Sequence, residues 1–157
     1  MDILFIQVGG TIDKDYPSGD DNHGYAFEIG EPAFRTILRR AGVTFKYGQH
    51  RLMQKDSLDM TDEDRRILTG EVYAGSEKRV VVTHGTDTIG KSAKAIALHA
   101  NAGSKTVVLT GARLPAKFRD SDADFNLGLA AAAVQCMPPG IYIALHGKII
   151  LWNKFMG

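Results

Sequence analysis

With Cys136 as its only cysteine, this 157-residue chain has no internal disulfide and no thiol cluster to hold a metal. It has little net charge: the formal value is +1, so no broad field draws it to nucleic acid or to an anionic membrane surface. It has no long hydrophobic run. Its apolar stretches are strand-length, too short to span a bilayer. The opening residues, Met1-Asp2-Ile3-Leu4-Phe5, lack the basic n-region and small-residue cleavage site of a secretory leader and read as a first strand. Together these absences lead us to expect a protein of the reducing cytoplasm. What remains is ordinary for one globular domain over residues 1–157: 44% hydrophobic and 24% charged residues, without repeats or low-complexity linkers. A chain of this length buries about 68–70% of the surface it exposes when unfolded, enough for a proper core.

Strand and helix patterns alternate along the chain. Ile3-Leu4-Phe5-Ile6-Gln7-Val8 is a run of β-formers that ends on Gly9-Gly10. Residues 13–24 are polar and turn-rich and predict a mobile surface loop, followed by a short edge strand or hairpin arm over 25–29. Pro32 suits the first turn of a helix carrying Phe34, Ile37, Leu38 and Ala41 on one face, and Gly42 suits its end. A second strand is expected at 43–47, with an extension over 49–53. Thr61 with Asp62, Glu63 and Asp64 forms an N-cap and acidic first turn for a helix containing Ile67, Leu68, Val72 and Tyr73. Further strands are predicted at 79–83, 106–110 and 141–145, separated by alanine-rich helices over about 88–102 and 121–136. Such alternation specifies parallel strands joined by crossover helices on both faces. The expected fold is therefore a single-domain three-layer α/β/α sandwich with a mainly parallel sheet, flavodoxin-like or Rossmann-like.

In open α/β sheets, ligands bind just outside the carboxyl ends of the strands. Two Gly/Thr segments fall there: Gly9-Gly10-Thr11-Ile12-Asp13 and Thr83-His84-Gly85-Thr86-Asp87-Thr88. Neither matches Gly-x-Gly-x-x-Gly or Gly-x-x-x-x-Gly-Lys-Ser/Thr, so both phosphate-loop fingerprints fail. A hydroxyl directly after two glycines is an exposed nucleophile if a base or relay activates it. From the tripeptide alone, a tight turn with Thr11 capping the next segment is the better account. Asp87 suits a substrate ammonium, and Thr86 with nearby backbone N–H groups suits an oxyanion or water. The bland alternative is Asp87 or Thr88 capping the helix that starts near Ile89. His84, a lone histidine at a strand end, is more simply structural than a general base. Ser57, in Lys55-Asp56-Ser57-Leu58-Asp59-Met60, suits a carboxylate or a Ser turn equally well.

Taken in order, these segments resemble the bacterial-type L-asparaginases and glutaminase-asparaginases. Gly9-Gly10-Thr11-Ile12 and Thr83-His84-Gly85-Thr86-Asp87-Thr88 look like the two signature motifs of that family. The resemblance continues through Asp56-Ser57-Leu58-Asp59-Met60, Leu109-Thr110-Gly111-Ala112-Arg113-Leu114-Pro115 and Phe125-Asn126-Leu127, from residue 3 to about residue 150. It implies that Thr11 attacks a side-chain amide, releasing ammonia and then aspartate, with Thr86 as second catalytic threonine. Ser57 would hold the substrate α-carboxylate and Asp87 its α-ammonium, with Gly10, Gly85 and Leu58 beside them. A loop tyrosine assists in the family; Tyr16 is favoured here and Tyr25 is the other candidate. No cofactor or metal is implied. The expected partners are a small amino-acid amide and a second copy in a homodimer.

Three departures are visible. Full-length family members carry a second, C-terminal domain, so this chain resembles the N-terminal domain alone. Position 58 is leucine where many members have a polar residue. The family's relay lysine aligns with Gly157 in Asn153-Lys154-Phe155-Met156-Gly157, which leaves Lys154 as a substitute if the tail shifts register. The competing expectation is a catalytically weak relative that binds a small amino acid and senses or regulates.

Overall fold

In the computed structural model, which describes residues 2–17 and 26–157, the β-formers of the first segment make a strand, β1 (Asp2–Gly9). A two-residue ribbon strand, β2 (Lys14–Asp15), pairs antiparallel with β3 (Glu28–Ile29). Helix α1 (Ala33–Ala41) follows Pro32 and stops at Gly42, whose φ of 63° gives the left-handed end expected of a glycine C-cap. Then come β4 (Lys46–Lys55), α2 (Asp62–Ala74), β5 (Arg79–Thr83), α3 (Ile89–Ala97), β6 (Thr106–Thr110), α4 (Ala123–Cys136), β7 (Gly140–Leu145) and β8 (Lys148–Leu151).

The main sheet runs β4-β1-β5-β6-β7-β8, parallel except for β8. Taken in chain order, its five parallel strands lie 2-1-3-4-5, the flavodoxin-like arrangement. Period-2 alternation sorts the strand side chains between the two faces. Ile3, Phe5, Val81, Val108 and Tyr142 pack under α1 and α4; Ile6, Val8, Val80, Val82, Val107, Leu109 and Ile143 pack under α2 and α3. The α/β/α sandwich is therefore as expected.

Several boundaries differ from the sequence expectation. The second strand starts at Lys46 and continues through the proposed extension to Lys55, because its register follows β1 from Asp2↔Lys46 onward. Helix α3 ends at Ala97 rather than near 102; Leu98 closes it and Ala102–Ser104 forms a 3-10 turn. Strand β8 is an addition to the expected set. It is turned back by His146 and Gly147, with φ of 53° and 79°, a pair of positive values that suits a tight hairpin. Thr61 caps α2 as predicted, with a full capping box: its side chain accepts from the Asp64 amide and Asp64 returns the bond to the Thr61 amide. Among the described residues, no helix is long and apolar enough to cross a membrane, and no group of His, Cys, Asp and Glu is set to hold a metal ion.

Candidate active site at the switch point of the sheet

Strand order reverses direction at β1, which is joined through α1 to β4 on one side and lies beside β5 on the other. The loops leaving β1 and β5 therefore flank a topological switch point, where open α/β sheets bind ligands. β1 ends in Gly9 and Gly10, whose φ values of 127° and 87° turn the chain out of the sheet. The Gly10 amide donates to the Lys55 carbonyl at 3.0 Å, tying this turn to the end of β4. A single 3-10 turn, Thr11–Asp13, follows. Thr11 is half-buried, and its hydroxyl has no hydrogen-bond partner among the described residues.

Across the switch point, β5 ends in Thr83 and the fully buried His84. One ring nitrogen, Nδ1, lies 2.7 Å from the Gly85 carbonyl and the other, Nε2, 2.7 Å from Ser92 Oγ. Burial pushes its pKa down to about 4, so the ring is neutral at physiological pH. Nδ1–H then donates to Gly85 and Nε2 accepts from Ser92. This is the structural role its position suggested, and it fixes the carbonyl next to Thr86.

Gly85 is the meeting point. A methyl group there would come within 2.7 Å of Ser57 Cβ and 2.8 Å of Ser57 Oγ, and one on Gly10 would overlap the Gly85 backbone. The loops of Gly10, Gly85 and Ser57 thus touch, with Thr11 and Thr86 each one residue beyond the contact. Ser57 is 1% exposed and its Oγ has no partner among the described residues. A buried hydroxyl is rarely left unpaired without a reason. Beside it, Asp56 accepts from the Leu58 amide at 3.2 Å and pairs with Lys14 Nζ at 3.2 Å. The Leu58 amide, with Lys14 adding to it, holds the Asp56 carboxyl below its usual range. Leu58 itself points to solvent, 71% exposed.

Thr88 is the N-cap residue of α3, but its hydroxyl makes no cap bond to the helix amides. Its hydroxyl donates instead to the Ser57 carbonyl at 2.7 Å and accepts from Arg65 Nη2 at 3.0 Å; Arg65 Nη1 also reaches the Met60 carbonyl at 3.1 Å. Arg65 is buried, so α2 fastens the Ser57 turn to the β5 loop through a charged donor. Neither Arg65 nor its link to Thr88 is foreseeable from the chain, since a buried arginine on a helix looks like any other in sequence. Thr88→Val removes both bonds and leaves the guanidinium short of a partner. Loss of one such bond costs about 1–3 kcal/mol. A fall of about 2–4 °C in melting temperature for each kcal/mol lost is expected, measured by thermal shift.

Asp87 is exposed and lines an open cleft of about 320 Å³ with Thr88, Lys91, Lys94, Phe155 and Gly157. Lys154 is exposed on the Trp152–Lys154 turn, and no ion pair or hydrogen bond among the described residues joins it to the loops of Thr11 or Thr86. The tail is held nearby, because Phe155 packs on Gly90. Tyr16 is 59% exposed and its ring lies 5.1 Å from that of Phe27, which in turn meets Phe118 at 5.6 Å. Tyr25 lies outside the described residues.

A doubly wound domain with hydroxyl-bearing glycine loops on both sides of its switch point presents a candidate small-ligand site. The chain belongs to the family described as asparaginase, N-terminal, whose model matches residues 2–155. It is 31% identical over 160 residues to an L-asparaginase of Thermococcus kodakarensis, covering 98% of this chain and 47% of that protein. It is 28% identical over 151 residues to a glutamyl-tRNA(Gln) amidotransferase subunit from the same organism, covering 93% and 33%. The structure of the thermostable L-asparaginase from Thermococcus kodakarensis superposes with a TM-score of 0.79 at 30% identity, covering 97% of this chain and 46% of that one. The chain spans about half the length of the L-asparaginase and a third of the amidotransferase protein.

Proposed function

We propose that this domain hydrolyses the side-chain amide of L-asparagine to L-aspartate and ammonia through a threonine nucleophile. The observation that carries the reading is the contact of Gly85 with both Gly10 and Ser57. It brings a buried hydroxyl, unpartnered among the described residues, against the Gly85 loop, and that loop and the Gly10 turn each continue into a threonine. Thr11 Oγ attacks the amide carbon, its proton leaves with ammonia, and water then cleaves the resulting ester. Ser57 donates its hydroxyl hydrogen to the α-carboxylate and the Asp87 carboxylate pairs with the α-ammonium, a donor and an anion for a zwitterion's two ends. Thr86, fixed behind the His84–Gly85 bond, positions the attacking group or the oxyanion. Tyr16 assists from the ribbon, and a homodimer supplies the remaining wall of the pocket. No cofactor takes part.

The role given to Lys154 is to relay a proton at Thr86. On that reading Lys154→Ala lowers turnover about tenfold or more while leaving aspartate binding intact, by ammonia assay and thermal shift. Unchanged turnover removes Lys154 from the mechanism. Its exposed position favours a second reading, a weakly catalytic amino-acid-binding relative with a sensing role. Ammonia release from L-asparagine by the purified protein separates the two. Release above the rate of the Thr11→Ala variant supports the enzyme. Stabilisation by aspartate without release supports the binding protein.

A further inference from the structure

Asp13 lies two residues beyond Thr11, closes the same 3-10 turn and is only 3% exposed. Both its carboxylate oxygens are occupied by donors. Ala33 N–H, at the start of α1, donates to Oδ1 at 2.7 Å, and Gln7 Nε2 of β1 donates to Oδ2 at 3.0 Å. Helix α1 has no side-chain cap of its own, so Asp13 supplies one from outside. The same Gln7 nitrogen donates to the Gly30 carbonyl at 2.9 Å, and the Gly30 amide donates to the Asp13 carbonyl at 2.8 Å. Gly30 follows β3, the return leg of the ribbon that carries Tyr16 on its outgoing side. One carboxylate thus ties together the Thr11 turn, the floor strand, the ribbon base and α1.

Gln7 Oε1 is buried and unpartnered among the described residues. So is the hydroxyl of Thr83, the residue opposite Gln7 on β5. A proton on Oδ2 would face an N–H head-on. Turning the Gln7 amide over relieves this, because Oε1 then accepts from the Asp13 O–H. The rotation also brings Oε1 against the Gly30 carbonyl, two acceptors at the distance now spanned by a hydrogen bond. Among the described residues, the Gly30 carbonyl then keeps only its bond from Gln54 Nε2, at 2.7 Å. We propose that Asp13 is a positioning residue for the Thr11 turn and that proton uptake by Asp13 flips the Gln7 amide and releases the base of the ribbon at Gly30.

Burial pushes the Asp13 carboxyl up to about 7, against the downward pull of the Ala33 amide and Gln7, so both proton states are populated near neutrality. The charged groups around it are engaged elsewhere: Lys14 with Asp56, Lys117 with Asp15, Arg40 with Asp124, and Glu31 with Arg35 and Arg51. Glu28 is exposed on the ribbon. The folded value lies above the unfolded value of 3.8, so the protonated form contributes stability below about 4 that is lost as pH rises through about 7. The catalytic half of this inference rests on Thr11 being the nucleophile; the structural half does not.

The test follows the Gln7 side-chain NH2 signals and hydrogen exchange at the Gly30 amide by 15N NMR across the neutral range, beside the pH profile of ammonia release. In the wild type, the Gln7 signals are expected to move with the Asp13 carboxyl, and Gly30 exchange, corrected for pH, to rise about 2- to 10-fold in the protonated form. Asp13→Asn, permanently neutral and a donor, is expected to fix both at their acid values and to remove the corresponding limb from the pH profile. If Asp13→Asn does not fold, Gln7→Met is decisive: Asp13 still titrates and Gly30 exchange no longer follows it. Gln7 signals that ignore the Asp13 titration overturn the switch. An intact switch with no difference in pH profile between wild type and Asp13→Asn overturns the positioning role. An intact switch in a protein that releases no ammonia leaves the ribbon anchor standing and overturns the proposed hydrolysis.

Discussion

Thr11→Ala is expected to abolish ammonia release, lowering the rate by roughly 10⁴-fold or more, as removal of a covalent nucleophile does. The fold should survive the change. The Thr11 hydroxyl makes no hydrogen bond among the described residues, so its loss orphans no partner, and the half-buried side chain is not part of either core. A drop in melting temperature of more than a few degrees would therefore mean that the side chain is structural. The informative pairing is activity with binding. If Thr11 attacks and Ser57 and Asp87 hold the zwitterion's ends, the variant still gains stability from aspartate while turnover vanishes. Thr11→Ser keeps the nucleophile and is expected to retain measurable activity. Equal ammonia release by the wild type and Thr11→Ala would overturn the proposed mechanism.

Most of the sheet was legible in the sequence because β1, β5, β6 and β7 are largely apolar runs and the helices carry their own punctuation, whereas the polar β4 shifted its bounds. Pro32 and Gly42 bracket α1, and Thr61 to Asp64 spell out a capping box. The β7–β8 hairpin was less legible: its turn, His146-Gly147, needs positive φ at a histidine, which no pattern announces. The glycine loops were visible as motifs, but their mutual contact is a property of strand order. Gly10, Ser57 and Gly85 come from three separate segments, and only the 2-1-3-4-5 order brings these segments together. The buried polar connections were invisible for the same reason. Arg65 reaching Thr88, and Asp13 joining Gln7, Gly30 and Ala33, depend on which face of each element turns inward. The sequence also suggested Thr88 as a helix cap, the commonest use of that residue at that place. In the folded chain its hydroxyl goes to the Ser57 carbonyl instead.

The contact itself makes the second prediction. Gly10→Ala should be the more damaging of two otherwise mild glycine changes, because two costs coincide. At φ 87° an alanine is held in a region that L side chains avoid, and its methyl group has no free space. It would meet the Gly85 nitrogen and α-carbon and the His84 carbonyl carbon, all backbone atoms that no rotamer change can move away. Backbone strain and overpacking of this kind cost on the order of 3 kcal/mol together. For a chain of this size that is a fall of roughly 6–12 °C in melting temperature, measured by calorimetry. Gly42→Ala shares the positive φ, at 63°, but a methyl group there meets nothing within 4 Å. It gives the cost of an ordinary left-handed position without a collision, about 1 kcal/mol; Gly10, with ψ at −175°, lies in a region almost confined to glycine and costs more even before its methyl group collides. A Gly10→Ala protein as stable as Gly42→Ala would mean that the two loops are not pressed together. If Gly10→Ala folds with the larger loss, ammonia release should fall out of proportion to the folded fraction. The only ways to relieve the overlap are to move the Thr11 turn or to push Gly85 toward Ser57, and either displaces a group proposed to touch the substrate.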